Sequence, residues 1–275
     1  MSAAVAELPC KRLASDASSG GKLPEVEFFS AWFCPYAQRA WIALEHHMLP
    51  FKKVEALLPD KPGDDFVAYI KNPRLLELNP KGLVPTISEG LGTPPVVESL
   101  VCVEYVDELA RSAAKAGSLL PGSPCERASL RVQADWVNRV CCSPFYQILV
   151  RKDQAERRAA FDSLVVGLDE LEGKIVGPYI AGEALTIVDV AFIPWAHRIM
   201  ICKIIEKYRG PDFAIDMGAH PRLASWIEKV FELPAVKATL AKPEDLVPTY
   251  KRYADGTAKS QVAEAVRQGR AAHTI

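Results

Sequence analysis

The chain reads as an α/β domain followed by an all-α domain, on three observations. Short apolar runs alternate with helix-period segments from residue 24 to 112. A break rich in Gly and Pro follows, Gly117-Ser118 and Pro121-Gly122-Ser123-Pro124. From Cys125 to Tyr250 the pattern is helical throughout. The expected boundaries are a tail at 1–23, the α/β domain at 24–112, a linker at 113–124, the helical domain at 125–254, and a loose helix or tail at 255–275.

Each element has its own signal. Val26–Ser30 is a short apolar strand, and behind it Ala37, Ala40, Trp41 and Leu44 recur at i, i+3, i+4, i+7, which predicts a helix over 35–47. Pro35 suits the first helical position, where a missing N–H costs nothing. Residues 51–56 are a second strand, and a loop with Pro59, Pro62 and Gly63 leads to a short helical stretch near 64–77. Val84–Glu89 and Pro95–Glu98 form a hairpin that turns through residues 90–94. A helix from Ser99 to about Arg111 places Leu100, Val103, Val106 and Ala110 on one face. The order β-α-β-α-β-β-α gives one parallel pair and an antiparallel hairpin. The second half holds helices near 125–142, 155–175, 187–207 and 221–232. Thr186-Ile187-Val188-Asp189 is a capping box. Asp189 as a helix-capping group is a stronger reading than Asp189 as a catalytic acid.

Composition narrows the function. A net charge of −1 over 275 residues gives no electrostatic reason to bind nucleic acid or an anionic membrane. No apolar run reaches the ~20 residues a membrane span needs. The seven cysteines fall into no disulfide or zinc spacing, which points to reduced thiols in a cytosol-like compartment. The first 23 residues include Glu7 and Asp16 and lack the apolar segment of a signal peptide.

Three constellations carry chemistry. Cys34 stands at the strand-to-helix junction, where free backbone N–H groups and partial positive charge favour a thiolate. The fourth position of the motif, which holds a second Cys in dithiol oxidoreductases, is Ala37. Val84-Pro85 opens a strand. In a thioredoxin-like unit a cis proline here faces the helix-terminal cysteine and leaves the preceding backbone free to pair with an extended peptide. Glu98-Ser99 opens a helix and suits the zwitterionic end of an amino acid, although Ser99 as a simple N-cap is a comparable reading. Cys141-Cys142 read as buried small hydrophobes, and His46-His47 lack the further ligands of a metal site, so no metal is expected. Trp136, Phe145, Tyr146, Trp195 and Arg198 are candidates for a second-substrate pocket, against a core role for the aromatics. Gln38 and Arg39 are expected to face the domain interface or solvent.

Cys34-Pro35-Tyr36-Ala37-Gln38-Arg39, Gly82-Leu83-Val84-Pro85 and Glu98-Ser99 with Glu104–Glu108 resemble the N-terminal domain of a cytosolic glutathione transferase. The helical half with Leu185–Asp189 is similar to that family's second domain. A cysteine followed by Pro, an aromatic, Ala, Gln and Arg resembles the Omega class and its Lambda and dehydroascorbate reductase relatives. The resemblance implies a thioredoxin-like domain plus a helical domain, glutathione as cosubstrate, and a cytoplasmic homodimer. It implies that Cys34 forms a mixed disulfide with glutathione and that Val84, before a cis Pro85, pairs with the cysteinyl backbone. It implies further that Glu98 and Ser99 hold the γ-glutamyl end, that Phe33 lines the pocket, and that Lys71, with Lys61 as the alternative, meets the glycyl end. The implied activity is thiol transfer or reduction, dehydroascorbate included. A non-catalytic ligand carrier, similar to the chloride intracellular channel proteins, is the second reading.

Overall fold

The computed structural model describes residues 25–60, 69–90 and 92–273. The expected tail at 1–23, Lys61, Pro62, Gly63 and the start of the helical stretch at 64 lie outside those residues.

The first half runs β1 (Val26–Ser30), α1 (Pro35–His46), β2 (Phe51–Glu55), β3 (Leu57–Pro59), β4 (Tyr69–Lys71), α2 (Pro73–Leu78), β5 (Thr86–Ser88), β6 (Val96–Val97) and α3 (Ser99–Ser112). A mixed sheet has the order β2-β1-β5-β6. β1 pairs in parallel with β2, Val26 opposite Phe51, and antiparallel with β5, Phe28 opposite Ile87. β1 lies between two neighbours and is covered on its faces, so its residues are almost all buried and it reads as a continuous apolar run rather than an alternating one. β3 and β4 form a separate antiparallel hairpin, Leu58 opposite Ile70, where a loop was expected. The helix expected near 64–77 begins only at Pro73 among the described residues, and Asn72 caps it by accepting the Arg74 N–H at 2.9 Å.

The second half is helical: α4 (Pro124–Val137), α5 (Ser143–Val150), α6 (Gln154–Lys174), α7 (Ile187–Ala196), α8 (Ile204–Arg209), α9 (Pro221–Phe231), α10 (Pro234–Lys237), α11 (Pro243–Thr249), α12 (Lys251–Ala254) and α13 (Gln261–Arg267). Two expected helices are each interrupted by a π-helical turn, Asn138–Cys142 before α5 and His197–Ile201 after α7. Every residue of α7 is buried, and it packs against α1, α3 and α4, so it is apolar all round. At its start the Asp189 carboxylate accepts from the Thr186 N–H and hydroxyl, the Ile180 N–H and the Trp226 indole, all at 2.8–2.9 Å. Four donors on one buried carboxylate make it a structural bolt, and it lies away from the cavity described below.

The C-terminal stretch is ordered into α13, capped by Ser260, with Ala263, Ala265, Val266 and Ala272 buried. It packs on α5 and returns to the mouth of the site.

Candidate active site

The end of α1 is built around sulfur. Cys34 takes the N-cap position in extended conformation with Pro35 behind it, so no side-chain oxygen caps the helix and the thiol stands over the open N–H groups. Across from it the Val84–Pro85 bond is cis, and the Val84 carbonyl lies 3.9 Å from Cys34 Sγ. Burial pushes the Cys34 thiol above a thiol's ordinary value and the Glu55 charge adds to the shift. The N–H groups of Ala37 and Tyr36 and the Arg198 guanidinium pull the other way. The helix end pulls toward the thiolate, as expected, but desolvation outweighs it in this enclosed setting.

A cavity of about 390 Å³ opens above Cys34. Phe33, Lys71, Val84, Pro85, Glu98 and Ser99 all line it with Cys34. Lys71 donates to the Lys81 carbonyl at 2.8 Å, and this geometry depends on Gly82. A Cβ on Gly82 would lie 2.5 Å from Lys71 Cδ, and its φ of +61° suits glycine. Phe33 stacks on Tyr69 with ring centroids 5.6 Å apart.

α3 starts at Ser99 as expected, but not with Ser99 as its cap. Glu98, not Ser99, holds the N-cap position, at φ 69° and ψ 123°. A non-glycine residue in that region is strained, and such strain concentrates at functional positions. Ser99 is the first helical residue, and its hydroxyl accepts from Arg39 Nη1 at 3.1 Å.

Two buried arginines brace this floor from the domain interface. Arg39 donates to the Ala191 carbonyl, Asn138 Oδ1 and Ser99, and stacks 4.4 Å from the Trp195 ring. Arg198 donates to the Phe33 carbonyl at 2.9 Å. The π-helical turns supply Asn138 and Arg198, and such insertions re-aim side chains relative to an unbroken helix.

Of the aromatics proposed for a second pocket, Tyr146 lines the cavity, whereas Phe145 and Trp195 are enclosed in the core. Trp136 and Arg198 also lie outside the lining. Sequence reading missed Tyr36, Tyr250 and Tyr253, and the C-terminal segment from Lys259 to Val262 with Ala272 and His273. Tyr36 carried a signal, since it sits two residues after Cys34, and its hydroxyl donates to the Ala272 carbonyl at 3.2 Å. Gln261 reaches the Lys81 carbonyl at 3.0 Å, the same acceptor that Lys71 uses. His46 and His47 stack edge-on at 4.8 Å but bond to different partners, Gly117 O and Asp107.

Two family models match this arrangement: glutathione S-transferase, N-terminal domain, over residues 33–109, and glutathione S-transferase, C-terminal domain, over residues 154–229. Probable glutathione S-transferase parC of Nicotiana tabacum is 30% identical over 172 residues, which cover 62% of this chain and 71% of that protein. The chain belongs to the glutathione S-transferase family. The glutathione transferase Omega 3C structure from Trametes versicolor matches this transferase with a TM-score of 0.70 and 27% identity, over 86% of this chain and 93% of that one. The Tau class structure from mango, Mangifera indica, matches with a TM-score of 0.68 and 26% identity, over 84% and 100%. The transferase is thus similar to both Omega and Tau members and has the family's thioredoxin-like and helical domains. Among the described residues no helix is long and apolar enough to cross a membrane.

Proposed function

We propose that this transferase is an Omega-like, glutathione-dependent thiol transferase working through a mixed disulfide of glutathione with Cys34. One observation carries the reading. Among the described residues Cys34 is the cysteine that lines the cavity, and the fourth position of its motif is Ala37. The sulfur that resolves the intermediate therefore comes from solution. Glutathione fits the lining by charge: Lys71 for the glycyl carboxylate, the Val84 backbone for the cysteinyl amide group, and Glu98 with Ser99 for the γ-glutamyl zwitterion.

In the reaction the Cys34 thiolate attacks the glutathionyl sulfur of a mixed disulfide. The S–S bond breaks, the substrate leaves as a thiolate and takes a proton, and Cys34 becomes glutathionylated. A second glutathione thiolate attacks the glutathionyl sulfur, releasing glutathione disulfide and restoring the Cys34 thiolate. Glutathionyl conjugates are candidate substrates when Cys34 attacks their sulfur and the C–S bond breaks, the carbon leaving as a stabilised carbanion that takes a proton. Dehydroascorbate is one when glutathione first adds to its carbonyl and the same attack expels ascorbate. Both routes leave glutathionylated Cys34 for the second glutathione. Reduced thiols, six free cysteines among the described residues, fit a cytoplasmic setting. A homodimer is the family expectation.

The test is an assay panel of hydroxyethyl disulfide, dehydroascorbate, a phenacyl-glutathione and an aryl halide, run on wild type, Cys34→Ala and Cys34→Ser. Cys34→Ala abolishes thiol transfer, and Cys34→Ser gains conjugation to the aryl halide. Full thiol transfer by Cys34→Ala sinks the assignment. Glutathione binding with no turnover in wild type points instead to a carrier.

A further inference from the structure

Arg198 is 1% exposed, and its partners among the described residues are all neutral. It donates to the Phe33 carbonyl at 2.9 Å, Gln38 Oε1 at 2.9 Å, Tyr250 Oη at 2.6 Å and the Pro194 carbonyl at 2.6 Å. Gln38 is held in the orientation that offers oxygen to Arg198, because its amide nitrogen donates to Thr239 O and Oγ1, both at 3.2 Å. Burying a guanidinium against neutral acceptors alone leaves its desolvation uncompensated by any opposite charge. Arg39 makes a similar set of neutral bonds beneath Ser99, whereas Arg198 makes them behind the peptide that carries Cys34. The ionisable groups that Arg198 draws toward the charged form are Cys34, Tyr250 and Cys202. Of these, Cys34 alone presents a sulfur to the cavity.

We propose that Arg198 is a positioning residue for the reaction at Cys34: it fixes the Phe33–Cys34 peptide from the helical domain and sets a permanent positive charge behind the thiol. The role rests on the reading of Cys34 as the nucleophile. It has two effects. The hydrogen bond to Phe33 O orients the peptide whose next residue carries the sulfur. The charge favours the thiolate and draws in an anionic disulfide partner such as a glutathionyl group. Glu55, whose carboxylate accepts the Trp32 N–H at 3.0 Å, opposes that field from the sheet side, so the charge of Arg198 has a carboxylate to overcome as well as burial.

The test measures alkylation of Cys34 by neutral iodoacetamide and anionic iodoacetate, read by peptide mass analysis, with N-acetylcysteine as the reference thiol. The ratio of iodoacetate to iodoacetamide rates senses local charge, and a purely structural role does not move it. Wild type shows a ratio above that of N-acetylcysteine. Arg198→Met lowers the ratio about fivefold, the size of a partly screened charge effect. Arg198→Lys keeps most of the ratio but slows thiol transfer, because an ammonium lacks the planar fork that reaches four acceptors. Tyr250→Phe, which removes one partner and no charge, leaves the ratio unchanged. An Arg198→Met ratio within twofold of wild type overturns the proposal. If Arg198→Met does not fold, a wild-type ratio no higher than that of N-acetylcysteine overturns it. Thiol transfer that survives Cys34→Ala removes the nucleophile and this role together. Loss of transfer in Cys34→Ala with an unmoved Arg198→Met ratio removes only the role of Arg198.

Discussion

At the residue scale the thiol sets the pH behaviour. Burial holds the Cys34 proton more tightly than in an unfolded chain. The linked stability is therefore full below the unfolded value, about 8.5, and is lost as pH rises through the folded one. The kinetic counterpart is that iodoacetamide reacts with Cys34 in the ligand-free protein at a rate still climbing above about pH 10, where an ordinary thiol of pKa about 8.5 has levelled off. A plateau at lower pH would show that the helix end has won over desolvation. That balance was illegible in the sequence. The motif shows the helix start and the absent second cysteine, but not that Tyr146 and Tyr253, far along the chain in the helical half, line the same cavity as the sulfur. The strain at Glu98 was equally hidden, because a backbone angle has no signature in a two-residue motif.

At the element scale the linker is tied down by one carboxylate. Asp107 on α3 accepts from the Leu119 N–H at 2.6 Å, Ser118 Oγ at 2.8 Å, Arg111 Nη2 at 3.0 Å and His47 Nε2 at 3.1 Å. Burial alone would raise its carboxyl, but the bonds from His47, Leu119 and Ser118 overcome this and hold it at about 2, against 3.8 ordinarily. Stability linked to Asp107 is present above the unfolded value and lost as pH falls through about 2. Asp107→Asn should cost about 2 kcal/mol at neutral pH and flatten the acid limb between pH 4 and 2, as read by urea titrations. An unchanged acid limb would rule the carboxylate out as its source. The strands and helices around this bolt were legible, because each pairs a clear period with a turn or cap. The β3–β4 hairpin was not: Leu57-Leu58-Pro59 is too short for alternation to show, and its partner Tyr69-Ile70-Lys71 was absorbed into an expected helix. The π-helical turns were invisible for a similar reason, since one inserted residue barely disturbs a helical period.

At the scale of the whole molecule the C-terminal segment closes the site. Ser260, Gln261, Val262, Ala272 and His273 line the cavity, and Gln261 shares the Lys81 carbonyl with Lys71. A chain ending at Gly256 should bind glutathione with a raised KM and lose on the order of 2 kcal/mol, from exposure of the apolar surface that α13 covers. Unchanged KM with lowered stability would make the segment a brace alone. Its Ala-rich composition gave little amphipathic signal, since alanine is small enough to read as surface or core, and only the returning path of the chain buries it.

The interface arginines bear on how separable the two halves are. The peptide that carries Cys34 is gripped by a side chain from the helical half, and Ser99 of the cavity lining is gripped by Arg39, which is itself anchored on Ala191 and Asn138 of that half. Modularity stops at the floor of the cavity. A chimera that grafts residues 25–112 onto another helical partner would carry every residue of the glutathione motif and still lack the lattice that aims them. The cavity floor is built by the pair of domains, and in such a graft the Phe33 carbonyl loses its bond unless the partner supplies an arginine where Arg198 stands.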